Sequence, residues 1–347
     1  MKKRKYLAPF VAVIASLSLV ACGSGSDSDS TNEGETTSGS DSTDSGEVFK
    51  LQAGHSLPED HPYEKAFQKL AETVEERTDG RIVIETFPSS QIGAERELTE
   101  GLTFGTVDLV VSSTAPVTNF VPELGVLDLP FLFNDREAAV EVLEGEIGQG
   151  LFSSLSEQGI IGLSWGENGF RHITNSERPI NSPSDLEGLT IRTQENEFHL
   201  AAFEMLGASP SPMAWTEALT ALQQGVVKGQ ENPAIVADQF DLYNANQEHM
   251  TLTGHVYSVA IFMLSQDTYD KLPEDLREIL VEEGQNIGSY QRDLIVEMEQ
   301  ESLNKLAEQG MQIIEDIDVE PFRSAISDVY DRFEYQELLQ QILDAQQ

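Results

Sequence analysis

From residue 47 to residue 347, helical and strand-like stretches alternate, and this alternation constrains the fold more than any other feature of the chain. Strand and helix taking turns give sheets covered by helices, the α/β class. Val48 to Ala53 is extended and apolar, and Pro62 then opens a segment with Tyr63, Phe67, Leu70 and Val74 at helical spacing, closed by Gly80. A strand over Arg81 to Phe87, a helix over Ala94 to Phe104 and a buried-type strand over Val107 to Ser112 follow. Ile160 to Ser164, Leu189 to Thr193 and Val256 to Leu264 predict further strands. Pro273 to Gln309 is nearly free of breakers. It predicts a helix of ~55 Å at 1.5 Å per residue, longer than one small domain, which either runs along two lobes or kinks at Gly284 or Gly288. A folded length of about 300 residues exceeds one hydrophobic core, so two lobes are expected.

The start of the chain is of another kind. Met1-Lys2-Lys3-Arg4-Lys5 is basic, the run from Leu7 to Ala21 is apolar, and it ends in Leu19-Val20-Ala21-Cys22. This pattern predicts a secretory signal with a lipobox, and its apolar run falls short of the ~20 residues that span a bilayer. Cys22 is the only cysteine, which excludes an internal disulfide framework and assigns the thiol to lipidation. Gly23 to Gly46 consists almost wholly of Ser, Gly, Asp, Thr and Glu, without aromatic or basic residues, and is expected to be a flexible tether. The protein is therefore expected outside the cytoplasmic membrane, held there by lipid on Cys22.

The formal net charge is −39; without the four basic residues of the signal, 17 lysines and arginines face 60 acidic residues, a net of −43. Such a surface repels phosphate backbones and excludes nucleic acid as a partner. It also makes any arginine in a cleft conspicuous.

Chemistry-bearing motifs are few. Gly162-Leu163-Ser164-Trp165-Gly166 fits G-x-S-x-G, but a nucleophile elbow needs a helix straight after it, and Glu167 to Ile173 reads as a loop followed by an extended piece. An esterase-like enzyme using Ser164 is the alternative this leaves open. The six histidines, 55, 61, 172, 199, 249 and 255, show no metal-ligand spacing, and no glycine-rich nucleotide motif occurs, so neither a metal nor a nucleotide cofactor is implied. Arg192 stands inside the apolar strand Leu189-Thr190-Ile191-Arg192-Thr193, where a guanidinium needs an anionic partner. Either an Asp or Glu of the protein or a ligand carboxylate can fill that role. Arg171 and Asn232, in glycine-flanked segments, raise the same question, and Trp215 suits either core packing or the flat wall of a pocket.

Several of these residues lie in longer stretches: Pro88-Ser89-Ser90-Gln91-Ile92-Gly93, Gly169-Phe170-Arg171, Gly188-Leu189-Thr190-Ile191-Arg192-Thr193, Pro212-Met213-Ala214-Trp215 and Gly229-Gln230-Glu231-Asn232-Pro233. In these stretches the chain closely resembles the DctP family, the solute-binding proteins of tripartite ATP-independent periplasmic (TRAP) transporters, over nearly all of residues 47 to 344. The resemblance implies a two-lobed periplasmic-binding-protein-like α/β fold, a cleft between the lobes and a long C-terminal helix spanning both. Lobe I would comprise 47–168 and 258–297, and lobe II 169–257 and 298–347. It further implies Arg192 as the principal carboxylate-binding residue, Arg171 as its helper and Asn232 as an amide contact. Trp215 becomes a pocket wall, and Glu95, His55 and Ser113 the contacts from the opposite lobe. Gln194 departs from the methionine of many relatives. The implied function is capture of a small organic acid, a sugar acid first and a C4-dicarboxylate second, for delivery to the small and large TRAP membrane subunits. A binding protein serving a sensory receptor is the other alternative.

Overall fold

The computed structural model describes residues 46–346; the predicted export signal, Cys22 and the tether up to residue 45 lie outside the described residues. Within them, one mixed sheet is formed by β1 (Phe49–Gly54), β2 (Ile82–Phe87), β3 (Leu109–Ser113), β4 (Ile160–Asn175), β5 (Thr190–Thr193), β6 (Ser209–Pro212), β7 (Gly229–Asn232), β8 (His249–Ser265) and β9 (Gln312–Ile314). The order is β2-β1-β3-β8-β4-β7-β5-β6, with β9 also on β8. β2, β1 and β3 run parallel to one another, and so do β7, β5 and β6. Between the two parallel groups stand β4 and β8, antiparallel to each other over nearly their full lengths of 16 and 17 residues. At ~3.3 Å per residue each extends more than 50 Å, several times an ordinary strand. β3 pairs with the Ala260 to Leu264 half of β8, and β7 with the His172 to Asn175 half of β4, so each parallel group is tied to a different end of the same ribbon.

The alternation of apolar side chains along β8 sets the layers. Tyr257, Val259, Ile261 and Met263 enter one hydrophobic core, while Ala260, Phe262 and Leu264 enter another, as the period of two along a strand requires. The two cores are thus the two faces of one sheet, not one core for each predicted lobe. Helices cover both faces. The first helix, Pro62–Arg77, buries Tyr63, Phe67, Leu70 and Val74 at the predicted spacing, and His61 caps its start by accepting from the Tyr63 N–H at 3.1 Å.

One expectation is corrected. β4 does not leave the sheet after Ser164: residues 167–173 stay in the strand, with register shifts at Gly162/Ser164, Glu167/Gly169 and Arg171/Ile173. These irregularities bend and twist the ribbon. At the middle one Gly169 adopts φ +115°, a region that disfavours any side chain. The long helix runs as one element from Glu274 to Gln309, and two of its glycines lie against β4. A Cβ on Gly288 would meet the Trp165 carbonyl oxygen at 2.2 Å, and one on Gly284 the Leu163 Cδ1 at 2.9 Å. The glycines admit the helix against β4. Three residues on, Gln291 Oε1 accepts from Glu167 N–H at 2.8 Å and its Nε2 donates to Glu167 O at 2.7 Å, so a side-chain amide completes the ladder of β4.

These close approaches predict different costs for equal substitutions. Gly288→Ala sets Cβ against backbone and should lower stability by ~1 to 3 kcal/mol, whereas Gly284→Ala meets the end of a leucine and should cost less than half as much. Thermal or urea unfolding of the two variants checks this; equal losses would contradict it.

Candidate functional site

In parallel sheets, ligands meet the crevice at the carboxyl ends of the strands. Here two such ends converge. Ser113 ends β3, Arg192 lies near the end of β5 with Gln194 just beyond it, and Trp215 follows β6. Arg192, Gln194, Trp215, Glu95 and Met213 line one small cavity. The predicted residues from positions 95, 192 and 215 are therefore brought together.

Arg192 is 2% exposed. Its Nε and Nη2 donate to the Met213 carbonyl at 3.0 and 2.7 Å, and the guanidinium lies over the Trp215 ring at 5.3 Å. Among the described residues no Asp or Glu oxygen comes within 4.0 Å of it. Burial draws its pKa down to about 10, with Glu231 pulling the other way, so it carries its charge at neutral pH. Trp215 serves both uses weighed for it: its face backs Arg192, and Phe240 meets it in a T-shaped contact at 4.9 Å.

Arg171 is different. It is fully buried, and its Nε and Nη2 donate to the Glu231 carboxylate, Nη2 to Oε1 at 2.9 Å. Burial alone would raise the Glu231 carboxyl, but the Arg171 charge and hydrogen bonds, with the His255 ring nitrogen 3.4 Å away, hold it well below the usual carboxylate range. The anionic partner of Arg171 is thus a protein residue, and only Nη1 remains without a hydrogen bond. Asn232 donates from Nδ2 to Gln230 Oε1 at 2.6 Å and pairs across the sheet with His172. His55, directly after β1, is fully buried. Its Nδ1 accepts from Leu57 N–H at 3.2 Å, which leaves the proton on Nε2 for Glu64 at 3.0 Å, so both ring nitrogens are occupied.

Glu95 opens the helix Glu95–Thr103, and its Oε1 accepts from the hydroxyls of Ser112 and Ser113, each at 3.2 Å. Ser113 in turn accepts from Gln194 Nε2 at 2.8 Å across the crevice. Asn196 donates to Ala115 O at 3.3 Å, and Asn119 to Glu195 O at 3.0 Å. Residues 194–196 are thereby bonded to 113–119, and the two walls touch.

Pattern reading missed several groups in this region. Tyr63, taken only as a helix core position, has a buried hydroxyl without a partner, and Glu95 and Arg171 are among the charges acting on it. Asp128 Oδ1 and His199 Nε2 lie 3.8 Å apart, buried. Burial pushes Asp128 up to about 8 against the Thr114 hydrogen bond, and pushes His199 down to about 3, so the two meet as neutral groups. Neither has a short-range sequence signal. Ser164, by contrast, donates its hydroxyl to Gly284 O at 2.8 Å from inside a continuous strand, with no elbow and no helix after it.

The family model of the bacterial extracellular solute-binding proteins, family 7, called DctP, matches residues 53–337. The chain belongs to this family of solute-binding proteins. A solute-binding protein of Verminephrobacter eiseniae is 42% identical over 81% of this chain and 84% of its own. A TRAP periplasmic solute-binding protein of Polaromonas, solved with D-erythronate, shares 42% identity and a TM-score of 0.82 over 85% of this chain and 98% of its own. The sugar acid binding protein of Advenella mimigardefordensis, solved with galactonate, gives 32% and 0.83 over 86% and 98%. The two-lobed α/β fold expected from the sequence is the fold of these neighbours.

The two arginines should answer differently to truncation of the ligand-free protein. Arg171→Ala leaves Glu231 buried without its cation and should cost ~3 to 5 kcal/mol, while Arg192→Ala removes a buried charge that has no ion pair and should change stability by ~1 kcal/mol or less. Chemical unfolding of both variants decides it. A loss at Arg192 equal to that at Arg171 would mean that a protein carboxylate neutralises Arg192.

Proposed function

We propose that this chain is the extracytoplasmic binding subunit of a TRAP transporter, lipid-anchored through Cys22. It captures a small organic acid carboxylate and delivers it to the small and large membrane subunits. A sugar acid, aldonate or uronate, is favoured as the solute, with a C4-dicarboxylate second. The observation that carries this reading is Arg192: a charged guanidinium, buried at a cavity wall, without a carboxylate of the protein beside it. A ligand carboxylate meeting it supplies the missing anion in a water-poor site, where charge-assisted hydrogen bonds are strong. Arg171 contributes its remaining Nη1, and Asn232 its remaining amide capacity.

The neighbours solved with D-erythronate and galactonate support a hydroxylated acid. Lobe I, residues 47–168 and 258–297, and lobe II, residues 169–257 and 298–347, would close on the solute about β4, β8 and the long helix. The bonds from Gln194, Asn196 and Asn119 across the crevice are the contacts that closure gains. No reaction is required of such a protein; binding and release are its work.

A thermal-shift screen with D-erythronate, galactonate, glucuronate and succinate tests the reading. An acid at 100 times its Kd adds ~2.7 kcal/mol to the folded state, which should raise the melting temperature by several degrees. At least one hydroxylated acid should do so, and by more than succinate at equal concentration. A folded protein that none of the four stabilises would contradict the assignment.

A further inference from the structure

Gln194 holds a position that its side chain alone explains. It is 5% exposed, lines the cavity with Arg192, Glu95 and Trp215, and spends Nε2 on Ser113. The orientation of its amide follows from Ser113. A carboxylate offers acceptors only, so the Ser113 hydroxyl points its hydrogen at Glu95 Oε1, and its oxygen must then receive a hydrogen from Gln194. The amide oxygen is thereby turned away from Ser113. It is buried and has no hydrogen-bond partner in the protein. Such an acceptor calls for an O–H or N–H donor.

We propose that Gln194 is a specificity-determining residue of the binding site: its Nε2 fastens Ser113 across the crevice, while its Oε1 accepts from a hydroxyl on the acid that Arg192 holds. This rests on the carboxylate-binding reading above and adds which acids that site prefers. A hydroxyl can donate to Gln194 Oε1 and still accept from a neighbour. A second carboxylate in its place would set oxygen against Gln194 Oε1 and against the Glu95 carboxylate, with no hydrogen to share. The charges agree, since Glu231 already takes up Arg171, and of the two arginines that line this cavity only Arg192 is buried, Arg96 being half-exposed with Glu195 at 4.0 Å. The site therefore selects hydroxylated monocarboxylates, and rejects both dicarboxylates and acids without hydroxyls because they strand a buried acceptor.

Titration calorimetry with D-erythronate, with butanoate as its counterpart lacking hydroxyls, and with succinate tests this on wild type, Gln194→Met, Gln194→Glu and Ser113→Ala; galactonate with hexanoate replaces the first pair if erythronate does not bind. Wild type should favour the hydroxylated acid over the other two by 100-fold or more. Gln194→Met should weaken the hydroxylated acid at least tenfold and leave its plain counterpart within about threefold, whereas Gln194→Glu and Ser113→Ala, which keep an acceptor at 194, should weaken both alike and preserve the preference. Should Gln194→Met not fold, the other two variants decide: loss of the preference in either overturns the inference. An equal loss of both acids in Gln194→Met overturns it too, with the carboxylate reading intact. A wild type that binds none of D-erythronate, galactonate, glucuronate and succinate fails both.

Discussion

A guanidinium taken out of water costs several kcal/mol unless an anion meets it, and Arg192 is held out of water with only a carbonyl and an aromatic face for company. The surrounding structure is what makes that arrangement tolerable. β5 fixes the backbone of Arg192 between β6 and β7, the Met213 carbonyl takes two of its N–H groups, and Phe240 steadies the Trp215 ring beneath it. On the proposed reading such a cation would need no rearrangement to receive a carboxylate, and little binding energy would be lost to ordering it. In a chain with a formal charge of −39, a fixed cation at the bottom of a crevice also marks a place to which a small anion would be drawn.

The sheet explains how two distant walls share one site. Because β4 and β8 run through both parallel groups, the carboxyl ends of β3 on one side and of β5 and β7 on the other are positioned by the same ribbon. Bulges and the positive φ of Gly169 give that ribbon its bend near the middle, and the long helix is fastened there through Gly288 and Gln291. Closure of the proposed lobes would accordingly be a flexing of long shared strands, limited by a helix that grips β4 at its centre.

Much of this was legible in the sequence, and the parts that were not share a physical cause. The first helix was readable because Tyr63, Phe67, Leu70 and Val74 all face the core at helical spacing. β5 was readable because Leu189 and Ile191 frame Arg192 so tightly that the charge stood out. β4 was read short because Glu167, Asn168 and Arg171 break its apolar pattern; each is buried there, and Arg136, Tyr257 and Glu231 compensate the charged ones through contacts far off in the chain. The buried stripe of the long helix is not legible at Gly284, Gly288 and Gln291 for a related reason, since those positions are buried by close approach and by a side-chain ladder, not by apolar character. Within the site, Arg192 and Trp215, both singled out in the sequence, line one cavity. The difference between Arg192 and Arg171 was out of reach, because only the fold reveals that Glu231 stands beside one and no carboxylate of the described residues beside the other.

The central claim is that the solute's carboxylate is the missing partner of Arg192, and titration calorimetry of folded Arg192→Ala against wild type, with whichever acid the wild type binds, tests it most directly. Truncating one member of a buried charge pair costs ~2 to 5 kcal/mol, so affinity should fall roughly 30-fold to several-thousand-fold. Arg192→Lys should recover only part of the loss, since an ammonium keeps the charge without the planar fork. An Arg192→Ala protein that binds the acid within threefold of wild type would contradict the account.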